Sequence, residues 1–255
     1  MSTITTSDAL ATYVIRHADD NVVLGQRLAE YISRAPELEE DLAVGNIALD
    51  HIGVADHLFT YVAKITDDGR SGDDFAMLRS EREYTNLLLV EQRHGGFDDL
   101  MARQFLFDAY QLPFWEALSA STDETVAGIA QRAAKEAKYH LRHSSMWIVR
   151  LGDGTAESHG RIQASIDRLW RFTAEMFEAD DLDREMAASG LGIDPSTLRS
   201  AWESTVDAVL EEATLVRPAD TFQTSGGRSG MHTEYLGRML ADMQWLPRAH
   251  PGLTW

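Results

Sequence analysis

The chain has 255 residues, of which 41 are Asp or Glu and 23 are Lys or Arg, so its formal net charge is −18 with neutral histidines. A protein this acidic is not expected to bind nucleic acid as its main partner. Cysteine is absent, which excludes disulfides, thiolate metal sites and cysteine nucleophiles. Any metal ligand in this chain must therefore be His, Asp or Glu.

The sequence predicts neither a signal peptide nor a membrane span. The first twenty residues mix Thr, Ser, Asp and Arg without an apolar block. The longest strongly apolar run, residues 87–90, is far shorter than the roughly 20 residues needed to cross a bilayer. We therefore predict a cytoplasmic protein that does not contact a membrane.

Amphipathic periodicity predicts helices along the whole chain, and no segment has the period-two alternation of a strand. The predicted helices cover residues 8–33, 37–65, 73–86, 98–119, 123–151, 156–177, 198–215 and 232–246. The second is apolar on almost every side, which predicts a central, buried helix. Pro113 lies inside the fourth helix and is expected to bend it.

About eight helices with short connections predict an all-α bundle. We expect one domain spanning residues 1–255. A segment near 217–231 contains Pro218 and several glycines, and it is expected to form an exposed loop within that domain.

Two sequence pairs resemble half of a metal-binding pattern. Ferritin-like bundles hold two iron ions with Glu-x-x-His on each of two helices and one Glu on each of two others. This chain has Glu81-x-x-Tyr84 and Glu136-x-x-Tyr139, so tyrosine occupies both imidazole positions. A neutral phenol, with a pKa of about 10, is a poor ligand because it must first lose its proton. The pairs predict a degenerate di-iron site, although ordinary surface acids and packing tyrosines would give the same pattern.

Asp50 and Asp108 would complete a set of four carboxylates, one from each of four helices. Clustered carboxylates without a metal repel one another. We therefore expect protonation or a Lys, Arg or His side chain to replace the cation inside the bundle. On the second helix, Asn46, Gly53 and His57 join Asp50 in a polar stripe, which is expected to face another polar layer or a second chain.

A rival metal site uses histidines. Glu136, His140 and His143 lie on one helix face and could supply three ligands to zinc or iron. The neighbouring Lys138 and Arg142 suit a solvated or partner-facing surface equally well. Both interpretations of this face remain open from the sequence.

Several stretches together carry a family resemblance: residues 42–50, 86–92, 135–142, 169–175 and 232–245. They closely resemble the PaaC (PaaI) family of subunits of the bacterial phenylacetyl-CoA epoxidase. The resemblance spans almost the whole chain and implies a ferritin-like fold.

The resemblance also implies a role. The epoxidase is a multicomponent monooxygenase that uses O2 and an NADPH-dependent reductase to epoxidise the aromatic ring of phenylacetyl-CoA. The di-iron centre belongs to a PaaA-type catalytic subunit, and this chain would be its structural partner in a hetero-oligomer, with no metal or cofactor of its own. Two alternatives remain, namely an independently active metal-dependent oxygenase and a general helical adaptor.

Overall fold

The apolar periodicities fold into nine α-helices within residues 6–253, the part of the chain that the computed structural model describes. In chain order they are α1 (Thr6–Ala29), α2 (Leu38–Thr66), α3 (Gly72–Met77), α4 (Phe97–Leu118), α5 (Glu124–Gly152), α6 (Ala156–Trp170), α7 (Asp181–Ser189), α8 (Arg199–Glu212) and α9 (Glu234–Ala249). No strand occurs in this range. The prediction of an all-α protein is confirmed, and the fold is consistent with a ferritin-like one.

The described residues form two compact units. Unit 1 contains the residues up to Arg93 and those from Gly226 onward, and therefore holds α1, α2, α3 and α9. Unit 2 runs from His94 to Ser225 and holds α4 to α8. No helix within residues 6–253 is long and apolar enough to cross a membrane.

In unit 1, α1 lies along α2, and α3 packs against α2 and α9. The two long helices approach closely at Gly25, where a Cβ atom would lie only 3.1 Å from the carbonyl oxygen of Ala48. Both helices bury an apolar face here, and its most buried members include Tyr13, Val14, Val23, Leu24, Leu28, Val44, Ile47 and Val62. This seam is the core of unit 1.

The prediction that α2 is buried all round is wrong. Ten of its residues are buried on one side, but Leu38, Leu42 and Leu49 on the opposite side are each more than half exposed. Apolar content alone cannot distinguish a buried helix from one whose second apolar face lies on the protein surface.

The predicted helix over residues 73–86 is also wrong beyond its first part. Helix α3 ends at Met77, a 3-10 turn covers Glu81–Glu83, and residues 84–92 follow without helix yet are largely buried. A buried irregular segment needs partners for its backbone polar groups. Side chains supply them here: the Thr85 and Leu87 amides donate to Asp19 and Asp20 of α1 at 2.9 and 2.7 Å.

In unit 2, α4 contacts α5, α6 and α8, so α4 is the central helix of this unit. It continues through Pro113 to Leu118. Aromatic rings fill the space beside it: the centroids of Phe177 and Trp202 lie 5.4 Å apart, as do those of Trp170 and Trp202. The Trp202 indole donates to the Leu106 carbonyl oxygen at 2.9 Å, so its polar group is satisfied inside the core.

The other helix boundaries follow identifiable signals. Asp123 caps α5 by accepting a hydrogen bond from the Val126 amide at 2.9 Å, as its position predicts. The predicted helix 156–177 ends at Trp170, and a 3-10 turn follows at Ala174–Phe177. Helix α7 was not predicted, although Asp180 and Asp183 form a capping box at its start.

Candidate functional site

The Glu81 and Tyr84 pair does not lie on one helix face. Glu81 is exposed in the 3-10 turn, whereas Tyr84 is fully buried in the irregular segment that follows. The Tyr84 hydroxyl donates to the Ala76 carbonyl oxygen, and the Arg79 guanidinium lies 4.3 Å from its ring centroid. Burial raises the pKa of Tyr84 well above its usual value. This phenol therefore keeps its proton and serves as a hydrogen-bond donor, not as a metal ligand.

The Glu136 and Tyr139 pair lies on α5, as predicted, but its side chains are directed elsewhere. Glu136 Oε1 lies 3.2 Å from Nε of Arg132, one turn earlier on the helix surface. Tyr139 is 46% exposed, and the Arg142 guanidinium lies 5.5 Å from its ring centroid. The expectation that this phenol occupies an interior position is therefore wrong.

His140 and His143 are both buried on α5. Their spacing of three residues brings them to one face, as the rival metal site requires. The third member, Glu136, has its carboxylate engaged with Arg132. The structure thus brings the two histidines together on the inner side of α5 and leaves the acid near the surface.

Asp108 is the fully buried member of the predicted carboxylate set. It lies on α4 and accepts hydrogen bonds from Ser144 Oγ and Gln104 Nε2, both at 2.7 Å. Burial raises the pKa of Asp108 to about 6, against the opposing effects of His140 and of these two hydrogen bonds. The sequence suggested that protonation could replace a cation beside these carboxylates. With a pKa of about 6, Asp108 can take up a proton in mild acid.

The polar stripe of α2 lies largely on the helix surface. Asn46 and His57 are exposed, and Asp50 is half-buried. The buried polar residue of this helix is His51, whose Nδ1 lies 2.8 Å from Oδ1 of Asn21 on α1. The stripe therefore does not form a buried polar layer within unit 1.

Unit 1 contains a buried ionic network that the sequence patterns did not reveal. Asp19 on α1 is fully buried and accepts two hydrogen bonds from the Arg79 guanidinium and two from Thr85. Asp20 accepts two from Arg228 and one from the Leu87 amide. Asp19 and Asp20 lie on α1 next to the polar residues Arg16, His17 and Asn21, so no local pattern marked the two acids as buried.

A second buried pair joins the irregular segment to the residues before α9. Glu91 accepts four hydrogen bonds, at 2.6–2.9 Å, from Asn86, His232 and the amide and hydroxyl of Thr233. His232 Nε2 lies 2.9 Å from the Tyr84 carbonyl oxygen. Because both ring nitrogens face acceptors, only the doubly protonated imidazolium donates to both. Burial is the largest single influence on the pKa of His232, and it lowers that pKa. Glu91, the Tyr84 carbonyl and Glu81 together raise the pKa by more, so the net shift is upward.

The hydrogen-bond capacity of these acids limits their chemistry. A carboxylate has about four acceptor positions. Asp19 and Glu91 each use four, so their oxygens are committed to fixed donors within unit 1. Glu81 is exposed on a 3-10 turn, so the Glu81 and Tyr84 pair of unit 1 does not reproduce the Glu-x-x-His ligand geometry. These arrangements stabilise the fold and do not fit a di-iron centre.

Comparison with known proteins identifies the relatives of this chain. A model of the family described as phenylacetic acid catabolic protein matches residues 1–255. The chain is also 47% identical, over 246 residues, to the C-type subunit of the 1,2-phenylacetyl-CoA epoxidase of Escherichia coli (strain K12). That alignment covers 96% of this chain and 99% of the relative. The chain therefore belongs to the phenylacetic acid catabolic protein family.

Proposed function

We propose that this chain is a structural subunit of a phenylacetyl-CoA epoxidase that acts in phenylacetate catabolism in the cytoplasm. It would assemble with a PaaA-type subunit that carries the di-iron centre and the substrate site, and a separate reductase would supply electrons. The chain itself would hold no metal and catalyse no reaction. The similarity to an epoxidase subunit along 96% of the chain supports this assignment.

One observation carries the non-catalytic part of the proposal. At the two positions that the sequence pattern matches to the imidazole ligands of a di-iron bundle, the chain has a buried phenol that donates to a carbonyl and an exposed phenol beside a guanidinium. Iron centres of this type depend on imidazole nitrogen in addition to carboxylate oxygen. Tyr84 and Tyr139 cannot supply it.

The direct test measures metal and turnover in separate preparations. The isolated chain, produced in iron-supplemented medium, is expected to contain no stoichiometric iron and to leave phenylacetyl-CoA unchanged when reductase, NADPH and O2 are present. The same chain co-expressed with the PaaA-type subunit is expected to form an active complex. Turnover by the isolated chain would overturn the proposal.

The alternative is an independently active metal-dependent oxygenase, favoured by the two buried histidines of α5. His140→Ala separates the two functions. If the chain is a structural subunit, the variant keeps the metal content of the wild-type chain and still supports the activity of the complex. Loss of bound metal together with activity would favour the enzyme.

A further inference from the structure

Helix α2 carries an exposed apolar stripe with the spacing of a helix-packing seam. Its members are Leu38, Leu42, Gly45, Leu49 and Ile52, which follow one another at steps of four, three, four and three residues. The leucines are 61–70% exposed and Ile52 is 38% exposed. This alternation is the heptad pattern by which one α-helix packs against another. The stripe is about 21 Å long at a rise of 1.5 Å per residue.

The surface above the leucines of the stripe is open, whereas Ile52 lies at its edge, with Cγ1 2.9 Å from where a Cβ atom on Gly25 of α1 would lie. A Cβ atom added at Gly45 or at Gly53 would meet nothing within 4 Å, so neither glycine is required by packing within the described chain. Glycine between two leucines of the stripe lowers the surface and permits the close approach of another backbone. Exposed apolar residues arranged in this way mark a protein interface.

Charge restricts the identity of the occupant. Residues 35–63 contain six acids and no Lys or Arg: Glu37, Glu39, Glu40, Asp41, Asp50 and Asp56. Asp56 continues the stripe at the next heptad position, and Glu39, directly after Leu38, flanks it. A second copy of α2 would bring two sets of six acids together, which repel each other. A helix with an apolar stripe and flanking Lys or Arg side chains would complement this surface.

We infer that the outer face of α2 is the docking surface for a helix of another subunit, one whose apolar seam is bordered by basic residues. This inference rests on the proposed function, because the PaaA-type subunit is the partner that the proposal supplies. Docking covers the leucines that unit 1 leaves exposed. It also accounts for a helix with two apolar faces, one packed on α1 and one directed outward.

Site-specific labelling tests the face without disturbing the core. The chain contains no cysteine, so Leu49→Cys introduces a single thiol. Its reaction with a maleimide is expected to slow by at least about 10-fold when the PaaA-type subunit is added, because a docked helix excludes the reagent. Val216→Cys is the control, since Val216 is 72% exposed and lies in unit 2. Equal labelling rates at position 49 with and without the partner would overturn the inference.

Affinity measurements give a second readout. Leu42→Glu/Leu49→Glu is expected to weaken binding of the PaaA-type subunit by at least about 30-fold, because two apolar anchors become like-charged acids. Val216→Glu is expected to bind as the wild type does. Asp56→Lys is expected to slow association most strongly at low salt. Circular dichroism checks that each variant is folded. If a variant does not fold, the Leu49→Cys labelling experiment tests the docking surface in its place.

The outcomes distinguish this inference from the proposed function. If the wild-type chain binds the PaaA-type subunit and the double variant binds equally well, the α2 inference fails and the structural role stands. If the wild-type chain does not bind that subunit, both fail. A wild-type homodimer that Leu49→Glu dissociates, with binding of the PaaA-type subunit unchanged, would assign the face to a second copy and overturn the inference.

Discussion

Buried aspartates in the two units of the chain have different hydrogen-bond donors. In unit 1, Asp19 and Asp20 pair with the guanidinium groups of Arg79 and Arg228, and these pairs hold an irregular segment against α1. In unit 2, Asp108 accepts hydrogen bonds from a neutral serine and a neutral glutamine. The chemical group is the same, but guanidinium cations donate to Asp19 and Asp20, whereas neutral side chains donate to Asp108.

This difference determines how each unit depends on charge. A buried ion pair is costly to break, because removing one partner leaves the other charge uncompensated. Burial raises the pKa of Asp108, and it also raises the pKa of Asp20 against the opposing effect of Arg228. Unit 1 should therefore be sensitive to the loss of its arginine cations, and in unit 2 the contribution of Asp108 should depend on pH.

The largest effect is expected from breaking an ion pair of unit 1. Arg79→Met keeps most of the side-chain volume but removes the cation beside the fully buried Asp19, so the free energy of unfolding should fall by about 3–5 kcal/mol. Urea denaturation measures this loss. Arg132→Met is the matched control, because its pair with Glu136 is exposed and should contribute at most about 0.5 kcal/mol. Equal losses for the two variants would contradict the account.

Packing should dominate in unit 2. At Gly152, the last residue of α5, an added Cβ would collide with the carbonyl oxygen of Ala213. Gly152→Ala is therefore expected to cost about 2–3 kcal/mol, because backbone must shift to admit the methyl group. Gly128→Ala on the same helix meets nothing within 4 Å and should stabilise by about 0.5–1 kcal/mol. Thermal unfolding of the Gly152→Ala and Gly128→Ala variants measures both effects. A stabilising Gly152→Ala would show that α5 does not closely contact the Ala213 carbonyl at this position.

Asp108 should make unit 2 respond to mild acid. Its folded pKa is raised to about 6, so protonation favours the folded state, and its favourable contribution is lost as the pH rises through about 6. Relative to Asp108→Asn, the wild type should gain about 2 kcal/mol between pH 7 and pH 4. Unfolding of both proteins across this range measures the difference. A difference that does not change with pH would contradict the raised pKa.

The smallest effect is expected from His232. Its pKa is raised, so its contribution to stability is present below about pH 6.5 and is lost as the pH rises through the higher folded value. Between pH 6 and pH 9 the wild type should lose stability relative to His232→Gln, which cannot form the imidazolium. The pH-dependence of unfolding free energy checks this. A gain in the wild type's relative stability over the same range would reverse the sign and exclude the ion pair with Glu91.

The sequence predicted the long helices because their signals are local. Asp123 marks the start of α5, and apolar residues at steps of three and four define α1, α4 and α5. Periodicity could not indicate where residues 84–92 would lie. Their apolar run, Leu87–Val90, is compatible with a helix, but the segment is held in an irregular conformation by side chains from α1 and from the residues before α9.

The site residues were harder to predict for the same reason. Glu91 and His232 are 141 residues apart in sequence, and no spacing rule links them. Tyr139 follows the expected motif, yet its helix turns it toward the surface, because a spacing fixes which residues share a helix face and not which face is buried. The resemblance to a family, which uses the whole chain, was more informative than either motif.

Iron analysis of the isolated chain tests the central claim most directly. The chain would be purified alone from iron-supplemented cells, and its iron content compared with that of the complex formed on co-expression with the PaaA-type subunit. The account predicts iron only where the PaaA-type subunit is present, in proportion to that subunit. Two tightly bound irons per isolated chain would contradict it.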